Sequence, residues 1–269
     1  MLCFIIIVFS NHRLTYNRMR AIIGYIKKKK GDPMARRRVN TTRLEIIQAA
    51  IEMFMENGYS ATSIKSIADV MDMSTGHLTF YFPTKEHLLA ELVDMLCNFQ
   101  WAEVQEYVEE GETMVMAICL ELISMAAICE ENEIVKDFYI SAYTHPMTLE
   151  IIRKNDARRA KLAFEEYCPE WDDKHFAEAE TLVSGIEYAT IMTTGDSASI
   201  DIRIAGALDN ILMLYQVPSE IRGRKIQKVL AMDYAAIGRS VLQKFTSFIK
   251  VATDQAFEEL LAGKERKNE

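Results

Sequence analysis

Ser74, Thr75, Gly76 and His77 stand together where a helical pattern begins. Small and polar residues there leave backbone N–H groups and the positive end of a helix dipole open to an anion such as a phosphate. Gly76 adds no side chain, so backbone can come close to a bound surface. One turn on, Thr75, His77, Thr79 and Phe80 fall on an outer face while Leu78 points inward. A histidine can donate to guanine N7 or O6, and a phenyl ring can lie against a thymine methyl. The chemistry expected of this cluster is recognition of double-stranded DNA through the major groove.

Such groups need a rigid mount. From Thr41 onward, Leu44, Ile47, Ala50, Ile51 and Phe54 recur at three- and four-residue steps, the apolar face of a helix. Gly58 is placed to end that helix as a residue free to take positive φ. Thr62 or Ser63 caps a second helix, with Ile64, Ile67, Ala68 and Met71 inward. Asp72-Met73 forms a tight turn, and Ser74 caps a third helix reaching about Tyr81. Pro83 stops it, and Thr84 caps a fourth helix that carries Glu86 in its first turn. Short helices joined by so tight a turn describe a helix-turn-helix unit.

The stretch GYSATSIKSIADVMDMSTGHLTFYFPTKEHLLAEL resembles the TetR family of bacterial transcriptional regulators. Gly58, Thr62, Ser63, Ile67, Ala68, Ser74, Gly76, Leu78, Tyr81, Phe82, Lys85, Glu86, Leu88 and Leu89 carry the resemblance, which covers about Thr41–Leu92. Asp72 stands where the family has a turn glycine, and Thr79 where it often has a tyrosine. The resemblance implies phosphate contacts by Thr62, Ser63, Tyr81 and Lys85. It implies groove contacts by Thr75, Gly76, His77 and Thr79. Arg36, Arg37 and Arg38 precede the first helix, as basic arms do that reach a minor groove; a solvated tail is the other reading.

Charge points to the same end of the chain. The net charge is −8, but residues 1–33 hold seven Lys/Arg against one Asp, and residues 34–85 hold six basic against five acidic residues. Residues 86–269 hold 18 basic and 33 acidic residues. An acidic body repels phosphate, so DNA contact falls to the N-terminal part.

The expected fold is all-α: a helix-turn-helix DNA-binding domain over 34–85 and a larger helical effector-binding and dimerisation domain over 86–269. Apolar stripes support the second part, among them Met114, Ile118, Leu122, Met125 and Cys129. Residues 1–33 read as an extension. Lys-Lys-Gly-Asp before Met34 is what a purine-rich ribosome-binding sequence encodes, so translation is expected to start at Met34; a basic DNA-binding arm is the other reading.

In the resembling family the C-terminal helices enclose a small-molecule pocket and form a four-helix bundle between two subunits. Met114, Met116, Phe138, Tyr139, Tyr143, His145, Tyr188 and Met192 are the candidate pocket residues. Each also fits a core position at helical spacing. Flexible Met and amphipathic Tyr suit an apolar ligand, neutral or cationic. Gly185 and Ala189, with Leu230, Ile237, Val241 and Phe245 on a last long segment from Ser219, are the candidate homodimer interface.

Several chemistries are not expected. No P-loop, Gly-x-Ser-x-Gly, Gly-x-Gly-x-x-Gly or His-Glu-x-x-His pattern occurs, so neither catalysis nor a cofactor is expected. His175-x-x-Glu178-x-Glu180 reads as a solvated face rather than a metal site. Five Cys without a Cys-x-x-Cys pair read as reduced thiols of a cytoplasmic protein. No apolar run approaches the roughly 20 residues of a membrane span. The leading expectation is a ligand-responsive regulator, most simply a repressor, that binds a palindromic operator as a dimer. The alternative is a helical enzyme or a metal or redox sensor with the N-terminal helices as scaffold.

Overall fold

The computed structural model describes residues 33–107 and 114–268, with side chains over 40–107 and 114–258. The expectations on residues 1–32 and on the side chains of Arg36, Arg37 and Arg38 lie outside these. The described residues form eleven helices and no strand. These are α1 (Pro33–Asn57), α2 (Ile64–Val70), α3 (Thr75–Tyr81), α4 (Lys85–Tyr107), α5 (Met114–Glu131) and α6 (Glu133–Thr144). There follow α7 (Pro146–Phe164), α8 (Asp173–Ile191), α9 (Ile200–Leu214), α10 (Ser219–Leu230) and α11 (Tyr234–Asn268). None among the described residues is long and apolar enough to cross a membrane.

The ends of these helices follow local chemistry. Gly58 closes α1 at φ +88°, a backbone conformation that costs a residue with a Cβ. Ser63 caps α2, accepting from the Ser66 N–H, while the Ser66 hydroxyl oxygen accepts from the Ser63 N–H. The turn before α3 holds Asp72 at φ +50°, a conformation aspartate tolerates better than most side chains. Ser74 caps α3. Asn132 and Asp172 cap α6 and α8, and Pro146 takes the first position of α7, where a missing N–H costs nothing.

The chain divides into two units, Ala49–Thr246 and a smaller one made of the chain up to Gln48 with the stretch from Ser247. In the smaller unit the Thr41 hydroxyl donates to the Ala256 carbonyl at 3.3 Å, and Thr253 to the Leu44 carbonyl at 3.5 Å. The larger unit is built round α5, buried on nearly every face from Val115 to Cys129. Helices α4, α6, α9 and α10 pack on it, and α7 lies between α4 and α8.

One expectation on the fold is corrected. The segment from Ser219 is two helices, broken at Ala231–Asp233. The Asp233 carboxylate accepts from the Ala236 N–H at 3.1 Å and starts α11 afresh. Gly238 then brings α11 against α5: a Cβ there would lie 2.6 Å from the Ser124 carbonyl oxygen. Ile237, Val241 and Phe245 are consequently buried inside their own chain, and the Phe245 ring meets Phe99 at 5.5 Å. Leu230 is half-buried. A stripe used internally in this way is not available to a partner.

Candidate functional site

The first surface is the N-terminal half of α3. Thr75, Gly76 and His77 are exposed, and Phe80 is 74% exposed, a large apolar ring left in water. Leu78 alone on this short helix is fully buried and anchors it. The Ser74 hydroxyl accepts from the His77 N–H at 3.1 Å, and the Thr79 hydroxyl donates to the Gly76 carbonyl at 3.1 Å. His77 and Phe80 flank the half-exposed Tyr81, with ring centroids 5.5 and 5.2 Å from it. Nothing lies within 4 Å of where a Gly76 Cβ would stand. The fold therefore makes no demand for glycine there; only something outside the chain would.

Thr62 departs from expectation. It is buried, and its hydroxyl donates to the Gly58 carbonyl at 2.7 Å. That hydroxyl serves the turn and cannot also reach a phosphate. Ser63 is exposed at the start of α2. The Lys85 ammonium donates to the carbonyls of Tyr59 and Thr62, both at 2.9 Å, and sits 4.0 Å from the centre of the Tyr59 ring. Partial burial lowers its pKa. Two carbonyls take two of the three ammonium hydrogens.

This surface is tied to α6. The Asp137 carboxylate accepts from the Ser60 N–H at 2.8 Å and from the Ser60 hydroxyl. A Cβ on Gly58 would stand 3.0 Å from the same carboxylate. The Phe54 ring lies 6.5 Å from Phe138 and 5.1 Å from Tyr59. The loop that enters the helix-turn-helix is thus held by α6.

Residues 46–92 match the family model described as bacterial regulatory proteins, tetR family. These residues are a tetR-family DNA-binding domain. The HTH-type transcriptional repressor KstR2 of Mycobacterium tuberculosis is 32% identical over 71 residues, 26% of this chain and 36% of that protein. The HTH-type transcriptional regulator QacR of Staphylococcus aureus is 37% identical over 51 residues, 19% of this chain and 27% of that protein. The chain thus matches about a third of the length of these relatives. Among solved structures, a TetR/AcrR-family regulator from Thermobifida fusca is similar at TM-score 0.42 and 21% identity, covering 65% of this chain and 96% of that one.

Behind the tetR-type domain, helices α4 to α9 line a cavity. Of the expected pocket residues, Phe138, Tyr139 and Tyr143 line it. Met114 and Met192 are instead exposed, Met116 packs in the core, and His145 and Tyr188 lie outside the lining. The reason is helical phase: on α6, residues 138, 139 and 142 face inward, and His145 falls past the end of the helix.

The polar lining was not foreseen. Glu121, Asp156, Arg159, Glu180 and Glu187 all face the cavity. Glu180, expected on a solvated face with His175 and Glu178, is 3% exposed. Arg159 is buried and donates to Asp156 at 3.3 Å, to Glu121 at 3.4 Å and to the Cys97 carbonyl. Tyr143 donates to Glu187 at 3.0 Å, and Tyr215 donates to Glu180. Burial pushes the Glu121 carboxyl up to about 7, against the pull of Arg159. Burial likewise raises Asp156, Glu180 and Glu187. Cys119 and Cys129 are buried, and burial pushes both thiols up to about 12, which keeps them out of the reactive thiolate form. Among the described residues no group of three His, Cys, Asp or Glu side chains converges as a metal site would.

Proposed function

We propose that this chain is a ligand-responsive transcriptional repressor. Residues 34–85 act as the DNA-binding head and residues 86–269 as the effector-binding and dimerisation body. The head binds an operator through Ser63, Thr75, Gly76, His77, Phe80, Tyr81 and Lys85, and a small apolar molecule, neutral or cationic, fills the cavity and releases it. One observation carries the ligand response. Helix α6 lines the cavity with Phe138, Tyr139 and Tyr143, and between those residues and the head it holds the Ser60 loop through Asp137. A ligand that moves α6 by a fraction of a turn moves the mount of the reading helix.

A homodimer fits the outer face of α8 and α9, which pack on each other. Leu182 is 54%, Ile202 66% and Met213 53% exposed. Gly185, Ala189 and Gly206 share these faces, and the two glycines have nothing within 4 Å of a would-be Cβ. Small residues among exposed apolar ones let two helices approach closely. Two heads on a two-fold axis then read a palindrome.

The test is thermodynamic linkage. A ligand shifts DNA binding only through its different affinity for the two states, and coupling in such systems is typically about 5–150-fold. A compound that fills the cavity should weaken operator binding by such a factor. Asp137→Ala should keep the compound's affinity and reduce that factor several-fold, measured by anisotropy of a labelled operator. An unchanged factor in the variant contradicts the route through α6.

A further inference from the structure

We propose that the cavity takes an organic cation, its positive charge set against the Glu180 carboxylate and its apolar body against Tyr143, Phe164 and Tyr215. The inference rests on reading the cavity as the effector site, and it names the ligand class.

The first observation is an orphan atom. Glu180 is buried in the wall of the cavity, and one of its carboxyl oxygens accepts from Tyr215 while the other has no hydrogen-bond partner. Buried polar atoms without a partner are few in folded proteins, and each asks for one. The second is the charge of the lining: four carboxyls against one guanidinium. Arg159 is already used by Glu121, Asp156 and the Cys97 carbonyl, and it lies 5.2 Å from the centre of the Trp101 ring. Those hydrogen bonds go to neither Glu180 nor Glu187. A bound cation favours the ionised form of these carboxyls, and a bound anion opposes it. The third is shape. The Phe164 and Tyr215 rings stack at 4.2 Å and 4°, beside the Glu180 carboxyl, and aromatic walls hold cations well when water is excluded. A metal ion is a poor fit, since no three ligating side chains converge among the described residues.

Proton traffic follows from the same geometry. The titratable and charged groups that line the cavity with Glu180 are Cys97 on α4, Glu121 on α5, Tyr139 and Tyr143 on α6, Asp156 and Arg159 on α7, Glu187 on α8 and Tyr215 after α9. Burial, then the Asp156 charge, push the Glu180 carboxyl up to about 8, so it holds its proton at neutral pH. A bound cation favours the carboxylate, and the proton leaves to the buffer. Cation affinity therefore rises with pH between about 6 and 8, by at most tenfold per unit for one released proton.

The experiment compares two probes of one shape, benzyltrimethylammonium and its carbon isostere neopentylbenzene, by calorimetry on the full chain without DNA. The cation should bind at least tenfold tighter, and Glu180→Gln should remove most of that advantage while leaving the neutral isostere unchanged. Repeating the cation titration in buffers of different ionisation enthalpy should read a released proton in wild type and less of one in the variant. Equal or weaker binding of the cation, no binding of the cation, or full retention of its advantage in Glu180→Gln would overturn the proposal. Operator release is read separately. A cation that binds as described without releasing operator counts against the regulatory reading alone. Release by a neutral or anionic compound only, with no cation bound, counts against this inference alone.

Discussion

Glu180 is the residue where sequence and structure part most instructively. Read along the chain it sits among His175, Glu178 and other charges, as a solvated face would. Read at helical spacing, Phe176, Glu180, Val183 and Glu187 fall on one face of α8, and that face lines the cavity or the core. The signal was present as an acidic residue in phase with an apolar stripe, but surface acids commonly look the same. The serine caps were legible because their chemistry is local: Ser63 and Ser74 each satisfy an N–H three residues on. Thr62 was half legible, a hydroxyl at the right spacing whose direction only the turn at Gly58 decides. Burial of Glu180 also has a stability consequence. Its folded pKa of about 8 stands above that of an exposed carboxyl, so the folded chain keeps a proton that the unfolded chain gives up. That contribution is whole at low pH and is lost as pH rises toward 8. Glutamine carries no proton to lose. Without ligand, the melting temperature of wild type should fall relative to Glu180→Gln between pH 5.5 and 8.5, by a few degrees, at about 2–4 °C per kcal/mol. A gap that stays constant over that range contradicts the assignment.

At the scale of elements, the head was read closely. The turn at Asp72, the stop before Pro83 and the entry of α4 all follow from residues that act within three or four positions. The body was read less well wherever packing between distant helices decides. The stripe Ile237, Val241 and Phe245 has the spacing of an apolar helix face, but spacing does not say which neighbour it meets. Gly238 was the missing clue: only a residue without a Cβ lets α11 approach the α5 backbone so closely. The break at Ala231–Asp233 was masked by helix formers on both sides, with Asp233 as its one local sign. Two substitutions separate an internal face from an external one. Ile237→Glu buries a charge and should destabilise the fold, on the order of 4 kcal/mol, rather than yield folded monomers. Leu182→Glu, on an exposed position of α8, should leave the fold intact and convert the proposed dimer to monomers in sedimentation. A folded monomeric Ile237→Glu with a dimeric Leu182→Glu would reverse the placement.

At the scale of the whole molecule, the proposed function divides between a basic-to-neutral head and an acidic body. The head presents a helix end stripped of bulk at Gly76, the body a walled cavity with excess carboxyls, and α6 touches both. This reading depends first on the head binding specific DNA. The direct measurement is enrichment of duplexes from a randomised library by the full chain, followed by anisotropy on the selected sequence. An inverted repeat should emerge, with half-sites one helical turn apart, about 34–36 Å, or a multiple of that. His77→Ala should relax one base position in each half-site, at about 1–3 kcal/mol. Gly76→Ala, which meets no atom of its own chain, should fold normally and weaken binding to every selected sequence. Enrichment of no sequence, or wild-type selection by both variants, would contradict the account.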